Sequence, residues 1–354
     1  MEKLRGRGTP ENPENRYQRL QILYEQAESV AGDDEQPSPR TKFFHDKSKS
    51  IISENDSPDL SFRYSVNAYR GCEHGCIYCY ARPSHEYLGF SSGLDFETRI
   101  MVKRDAPDLL RKTLMAEKWE PAPITFSGNT DCYQPIERRL QLTRRCLEVC
   151  GEFLNPVGII TKNALVRRDI DVLQKLAAVS AAHVYVSITT LDDALASVLE
   201  PRASRPALRL RALEALKAAG IPCGVMVAPV IPGLNDEEIP RVLEAAAAAG
   251  AGAAGWTLVR LAKPLDALFS EWLEAHYPDR SKRVLGRLRD CRDGALNDST
   301  YGDRMRGTGA YAEQIRALFR ATAKKHGLDG GLGALNAGAF VRPQPKPSAQ
   351  LSLF

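Results

Sequence analysis

Between residues 61 and 262, short β-rich runs alternate with longer stretches of helical periodicity. The runs FRYSVNAY, APITFSGN, PVGIITKN, AHVYVSITT, IPCGVMVAPV and GWTLVRLA are rich in β-branched and aromatic residues, as strands are. Between them, PDLLRKTLMAEKW, RRLQLTRRCLEVCGEFL, DIDVLQKLAAVS, RPALRLRALEALKAAG and IPRVLEAAAAAG repeat apolar residues at the spacing of a helix with one buried face. This alternation predicts about six βαβ units around a parallel sheet. Six is fewer than the eight of a complete barrel. Pattern alone leaves a curved or an open sheet undecided.

The flanks have a different texture. Residues 1–60 are polar, and only YQRLQILYEQAESV has helical spacing. GRGTPENPEN and AGDDEQPSPR read as loop or disorder, so this stretch is expected to be an N-terminal extension. After residue 262 the alternation stops. LDALFSEWLEAHY, SKRVLGRLRDCR and YAEQIRALFRATAKKHG predict a C-terminal helical region over residues 263–340. Residues 341–354 carry Pro343, Pro345 and Pro347, which make an extended, semi-rigid spacer.

Composition narrows the class. The chain has 354 residues, 43% hydrophobic and 26% charged, which excludes a mostly disordered, collagen-like or coiled-coil protein. No uncharged apolar run approaches the roughly 18–20 residues that span a bilayer, and no apolar stretch follows the first charges as in a secretory signal. A cytoplasmic location with no membrane partner is therefore expected. The net charge of +4 averages an acidic start against a basic end. In the basic end, Arg280, Lys282, Arg283, Arg287, Arg289 and Arg292 fit either phosphate contacts or a solvated helix face.

Eight cysteines in this length are too sparse for a disulfide scaffold. Three of them, Cys72, Cys76 and Cys79, have the spacing C-x3-C-x2-C. A buried helix face would suit that spacing, but Gly71 and Gly75 weaken a helix and let the chain wrap closely. A structural zinc would need a distant fourth ligand such as His74 or His85, whereas zinc motifs usually pair their ligands as two couples. The third reading is an iron–sulfur cluster held by thiolates. Three thiolates on a [4Fe–4S] cube leave one iron open, and an open position separates a catalytic metal from a structural one. The segment also follows the first expected strand, at the rim where parallel α/β folds carry their chemistry.

With Tyr78 before the last cysteine, CEHGCIYC resembles the signature of radical S-adenosylmethionine (radical SAM) enzymes. Residues 61–262 resemble the spore photoproduct lyase-like branch, often described as DNA repair photolyase-like. TFSGNTDCYQPIERRL, IITKNALVRRDID, SITTLDDALASVLEPRASRPALRL and GVMVAPVIPGLND carry that likeness. The resemblance implies an α/β fold, an incomplete (β/α)6 TIM-like barrel. It implies a [4Fe–4S] cluster and S-adenosylmethionine as cofactors, and a one-electron donor such as flavodoxin or ferredoxin. In that superfamily the reduced cluster splits S-adenosylmethionine into methionine and a 5′-deoxyadenosyl radical, which takes a substrate hydrogen. The branch implies a DNA substrate, for repair or modification. RNA, protein or a small metabolite stay open as substrates, as does a non-enzymatic iron–sulfur module.

The resemblance also implies residue roles. Cys72, Cys76 and Cys79 become the cluster ligands, and Tyr78 lies against the adenine. Ser127 and Gly128 end the second expected strand, where the superfamily contacts the methionine amino group. Lys162 pairs with the cofactor carboxylate, Ser187 approaches the ribose or methionine, and Glu200 and Arg202 contact the ribose or carboxylate. The residues themselves also allow a packing aromatic at Tyr78, a bend at Gly128, a backbone-bonded hydroxyl at Ser187 and a surface ion pair at Glu200 and Arg202. Cys132 is either a catalytic hydrogen donor or a small core residue. The lyase donor precedes an acidic residue, whereas here Asp131 precedes Cys132. Cys146 and Cys150, four apart, read as packing residues. Finally, Gln350, Leu351, Ser352, Leu353 and Phe354 resemble the peptide that binds the bacterial sliding clamp, which makes the clamp an expected partner. A terminal strand packed on the protein itself is the alternative.

Overall fold

Each of the six β-rich runs forms a strand, and all six enter one sheet in chain order. The structure is a computed structural model that describes residues 6–16 and 40–344. Its strands are β1 (Lys42–His45), β2 (Ile52–Glu54), β3 (Tyr64–Val66), β4 (Tyr69–Arg70), β5 (Arg99–Val102), β6 (Ile124–Phe126), β7 (Val157–Thr161), β8 (Ala182–Ser187), β9 (Cys223–Val230) and β10 (Ala254–Leu258). The large sheet has the order β10-β9-β8-β7-β6-β3-β2. Its pairs are parallel except β2 with β3. When neighbours in sequence are neighbours in a parallel sheet, right-handed crossovers put every connecting helix on one face. The opposite face and the C-terminal strand ends remain for loops.

The connecting helices are Ala106–Met115, Leu142–Phe153, Ile170–Ala177, Pro206–Ala218 and Ile239–Ala248. They bury the residues that the periodicity selects, such as Leu147, Leu173, Leu213 and Leu243, against Ile159, Val184 and Val225 of the strands. Cys146 and Cys150 belong to this core. The long pattern RRLQLTRRCLEVCGEFL breaks at Gln141, whose φ of +52° separates a four-residue helix, Glu137–Leu140, from the longer one.

Two findings differ from the pattern. The first expected strand divides: β3 stays in the large sheet, while β4 pairs antiparallel with β5 in a small sheet of order β1-β5-β4. Also, β1 and β2 arise in a stretch with no strand signal. Their side chains are mostly exposed, so burial imposes no alternation on them, and backbone pairing with β5 and β3 defines them.

The C-terminal helices Leu265–His276 and Pro278–Asp290 pack on the large sheet's mouth. Phe269, Trp272, Val284 and Leu288 share a core with Ile77 and Tyr78 of the cysteine segment and with Leu195 and Leu199. The basic cluster divides: Arg280, Lys282, Arg283 and Arg289 are exposed, Arg287 lies 4.7 Å over the Tyr311 ring, and Arg292 is buried. At the opposite end, residues 336–342 cross the N-terminal ends of the strands. Asn336 N donates to Ser180 O (2.9 Å) and Val341 N to Phe153 O (2.8 Å). The helical pattern at residues 17–30 and the peptide at residues 350–354 lie outside the described residues. Among the described residues, no helix is long and apolar enough to cross a membrane.

Phe153 joins the helix layer to this returning segment, with its ring 6.0 Å from that of Phe340. Phe153→Ala is expected to lower unfolding free energy by about 3–5 kcal/mol, as large-to-small changes of buried aromatics do. A urea titration checks this.

Candidate functional site

The cysteine segment follows β4 as a tight loop, not as a helix. Gly71 and Gly75 have φ of +80° and +68°, which a side chain rarely adopts. A Cβ at Gly75 would stand 2.7 Å from Glu97 Oε2, and one at Gly71 would stand 2.9 Å from Phe96 O. Backbone bonds from Cys72 N to Phe96 O (2.9 Å) and from Ile77 N to Leu199 O (3.3 Å) tie the loop to both neighbours. Arg82, fully buried, braces it from behind. Its Nε donates to Cys76 O (3.0 Å), its Nη1 to Gly93 O (2.8 Å), and its Nη2 pairs with buried Glu97. Glu97 Oε2 in turn accepts from Gly8 N (3.0 Å), so the N-terminal stretch is part of the support.

All three loop thiols are free and shielded from solvent, Cys72 and Cys76 almost fully. Burial pushes all three thiols up, while Lys162 pulls Cys76 and Cys79 down. Among the described residues, no three His, Cys, Asp or Glu side chains gather closely enough for one metal ion. On a cube each thiolate takes a different iron, and Cys72, Cys76 and Cys79, three thiols of one wrapped loop within electrostatic reach of one another, suit such a group. His74 is not a spare ligand: it contacts Asn163 Nδ2 (3.1 Å) and lies 3.5 Å from Asp131, and burial lowers its pKa. His85 is buried among Phe90 and Phe96.

Beside the thiols lies a buried polar network centred on Glu200. Its carboxylate pairs with Arg209 and accepts hydrogen bonds from Tyr78 and Thr189. Burial alone would raise the Glu200 pKa. The Arg209 and Lys162 charges and the two hydroxyl donors outweigh that and bring it to about 2. Tyr78 is thus fixed by its hydroxyl. Arg209 is only 1% exposed and also holds Ser187 O (3.0 Å) and Ser204 O (2.6 Å), which pins the mouth of β8. Sequence reasoning missed Arg209. The signal was present: Arg209, Ala212, Leu213 and Leu216 share the buried face of one helix, and a charge in an apolar slot requires a partner.

Lys162 directly follows β7 and is half-buried, with its Nζ 5.7 Å from the Tyr78 ring centre. No hydrogen bond or ion pair to its ammonium occurs among the described residues. Its backbone N donates to Asp131 Oδ2 (2.8 Å), and Thr161 Oγ1 donates to Asp131 Oδ1 (2.7 Å). Asp131 therefore ties the β6 and β7 mouths together. Ser127, at φ +71°, accepts from Cys132 N (2.9 Å) and shapes that turn. Gly128 packs closely on Ser65, whose Cβ would stand 2.7 Å from a Cβ added at Gly128, and its O accepts from Tyr80 OH (2.9 Å). Arg202 pairs with Glu73 (3.2 Å), not with Glu200, and its N donates to His74 O (3.1 Å).

The structure brings Cys72, Cys76, Cys79, Tyr78, Lys162 and Glu200 into one mouth, with Ser187, Ser127 and Gly128 on its rim. Cys132 is 3% exposed and belongs to the main core, next to the mouth through Ser127 and with Asp131, Glu137 and Asp169 as its charged neighbours.

The Glu200 network predicts a pH dependence. A carboxylate depressed from 4.5 to about 2 stabilises the fold above the unfolded value, and that contribution is lost as pH falls through the folded value. Urea stability is expected to drop by about 3 kcal/mol between pH 4.5 and 2 from this group. Glu200→Gln should remove that part of the slope and cost about 3–5 kcal/mol at pH 7, because Arg209 is left without its counter-charge. An unchanged slope in the variant would refute this role.

Comparison with known proteins agrees with this geometry. The family profile of the Radical SAM superfamily matches residues 66–246. An uncharacterized protein of Mycobacterium tuberculosis is 38% identical over 226 residues, which are 63% of this chain and 66% of the relative. An uncharacterized protein of Methanocaldococcus jannaschii is 30% identical over 192 residues, 54% of this chain and 69% of the relative. The chain thus spans just under two thirds of the mycobacterial relative's length. Among solved structures, spore photoproduct lyase complexed with dinucleoside spore photoproduct superposes with a TM-score of 0.56 at 17% identity, over 80% of this chain and 78% of the lyase. A lyase variant with bound AdoMet and the same dinucleoside gives 0.57 at 18% identity, over 85% of each chain. At such identity the likeness is one of fold. The profile match covers half the chain and includes the cysteine loop, the Lys162 strand and the Glu200 network, so the chain belongs to the radical SAM superfamily of enzymes.

Proposed function

We propose that this chain is a radical SAM enzyme acting on DNA, built as an incomplete (β/α)6 barrel. The observation that carries the enzyme reading is the wrapped three-thiol loop at the mouth of a parallel sheet, with the Lys162 ammonium beside it and not hydrogen-bonded among the described residues. Cys72, Cys76 and Cys79 would hold a [4Fe–4S] cluster, and the Lys162 ammonium would meet the carboxylate of S-adenosylmethionine. When bound, that pair supplies one-electron cleavage of the sulfonium bond and a carbon radical able to take a substrate hydrogen. This chain's residues bind, orient and shield. Tyr78, held by Glu200, forms an apolar wall next to Lys162. Ser127 and Gly128 at the β6 mouth would meet the amino group of S-adenosylmethionine, and Ser187, whose O is held by Arg209, would approach its ribose or methionine. The helices Leu265–His276 and Pro278–Asp290 cover the loop and exclude water from its back.

The DNA reading rests on the lyase-like fold and on the exposed Arg280, Lys282, Arg283 and Arg289. The peptide at residues 350–354 adds a sliding clamp as a docking partner. Residues 336–342 cross the end of the sheet opposite the cysteine loop, so the path toward that peptide starts away from the mouth. A low-potential flavodoxin or ferredoxin is the electron donor that this chemistry requires, and a cytoplasmic setting suits it.

The test is anaerobic reconstitution with iron and sulfide, reduction, and addition of S-adenosylmethionine. The wild type is expected to form 5′-deoxyadenosine. Alanine at Cys72, Cys76 or Cys79 should lose iron and product together. Lys162→Ala should keep its iron but need at least about tenfold more S-adenosylmethionine, the loss of one charge-assisted contact. Absence of product from an iron-loaded wild type would sink the enzyme class. Deuterium transfer from labelled DNA to 5′-deoxyadenosine tests the substrate. In a separate measurement, removal of residues 350–354 should abolish binding to the clamp, and equal affinity would refute docking.

A further inference from the structure

The last strand of the large sheet ends at Leu258, and the chain there carries a second group of charges that the cofactor reading does not use. Arg260 follows the end of β10 on the same rim as the cysteine loop. Its Nε is buried without a hydrogen-bond partner, and its Nη1 meets only the Met305 sulfur, at 3.8 Å. Arg292 is 2% exposed. Its Nη2 donates to Val259 O (2.7 Å) and Arg304 O (3.0 Å), while its Nε and Nη1 are buried without partners. A desolvated guanidinium without an acceptor is costly unless an anion completes it. The neighbouring Arg304 is already satisfied: it pairs with Asp59 and donates to Ser57 Oγ. Asp59 also accepts from Gly302 N (2.6 Å); its charge reaches Arg260 through space, but it makes no hydrogen bond to that guanidinium.

Two exposed aromatic rings lie on the neighbouring segments. Tyr80, the residue after Cys79, is 55% exposed, and its hydroxyl reaches Gly128 O across the mouth. It lies within electrostatic reach of Arg260. Tyr301 is 59% exposed and has the Arg304 guanidinium 4.3 Å from its ring centre. Cations interleaved with open aromatic faces are the arrangement that holds unpaired nucleotides, with phosphates on the cations and bases on the rings.

We propose that Arg260, backed by Arg292 and with Tyr80 and Tyr301 on the neighbouring segments, binds a phosphodiester of a single-stranded or locally unpaired nucleic acid and leads one nucleotide to the cysteine loop. This deepens the DNA reading above by assigning the anchoring residues, and it rests on that reading only for the chemistry that follows binding. The guanidinium supplies a two-pronged donor to the phosphate oxygens, which lysine cannot reproduce.

The test is fluorescence anisotropy on the full chain with labelled single-stranded oligonucleotides of equal sequence, one DNA and one RNA, over a salt series. Arg260→Gln is expected to weaken binding about tenfold and to reduce the salt slope by about one, the loss of a single phosphate contact. Arg260→Lys should keep most of the salt slope and weaken binding less. Arg320→Gln, at an exposed position of the helix Gly309–Lys325 and outside this cluster, should change neither. Unchanged affinity and slope in Arg260→Gln, with a normal melting curve, would overturn the assignment. So would equal losses in Arg260→Gln and Arg320→Gln. Tighter binding of one oligonucleotide, lost in Arg260→Gln, supports the assignment and identifies the sugar recognised. The readout needs no cofactor, so a wild type that binds oligonucleotide through Arg260 but forms no 5′-deoxyadenosine keeps this site and loses the enzyme reading.

Discussion

Burial of Glu200 without loss of its charge is the constraint around which the mouth of this protein is arranged. A carboxylate removed from water must find compensating partners. It finds Arg209 from the following helix, Tyr78 from the cysteine loop and Thr189 from the end of β8. Three segments far apart in sequence are thus fixed to one point. Arg209 extends the hold to Ser187 O and Ser204 O, and Ser204 N donates to Lys162 O. The backbone at Lys162 is thus tied to the same network.

The cysteine loop depends on a second buried pair. Arg82 and Glu97 stand behind it, and the arginine holds the Cys76 carbonyl. A loop that must present three thiols outward cannot fill its own interior with side chains. Glycine at positions 71 and 75 opens the backbone, and charged residues from neighbouring segments occupy the space behind. The N-terminal stretch takes part through Gly8 and Arg7, whose Nη1 donates to Glu97 O (3.2 Å). A polar, aperiodic segment thus contributes to the site by hydrogen bonding rather than by packing.

The sheet leaves its two edges, β2 and β10, unpaired with each other among the described residues. Asp59, in the turn between β2 and β3, reaches Arg304 and Gly302 near the end of β10. This contact bounds the mouth where the sheet does not close. The C-terminal helices bound it on another side, through the core that Phe269 and Trp272 share with Ile77. The region after residue 262 is structurally part of the site.

Hydrophobic periodicity determined the six strands, their helices and the parallel sheet, because those elements are buried on a regular face and burial leaves a period in the sequence. The spacing of Cys72, Cys76 and Cys79, with glycines at 71 and 75, determined the three-thiol loop, because its thiols are local. Tertiary structure alone decided what is non-local. It gave Tyr78 to Glu200, paired Arg202 with Glu73, put Cys132 in the core and brought Arg260 within electrostatic reach of Tyr80. None of these pairings has a period or a fixed spacing, and each depends on which loops the sheet order brings together. β1 and β2 stayed hidden for the same reason: backbone pairing, which every residue but proline can offer, made them strands.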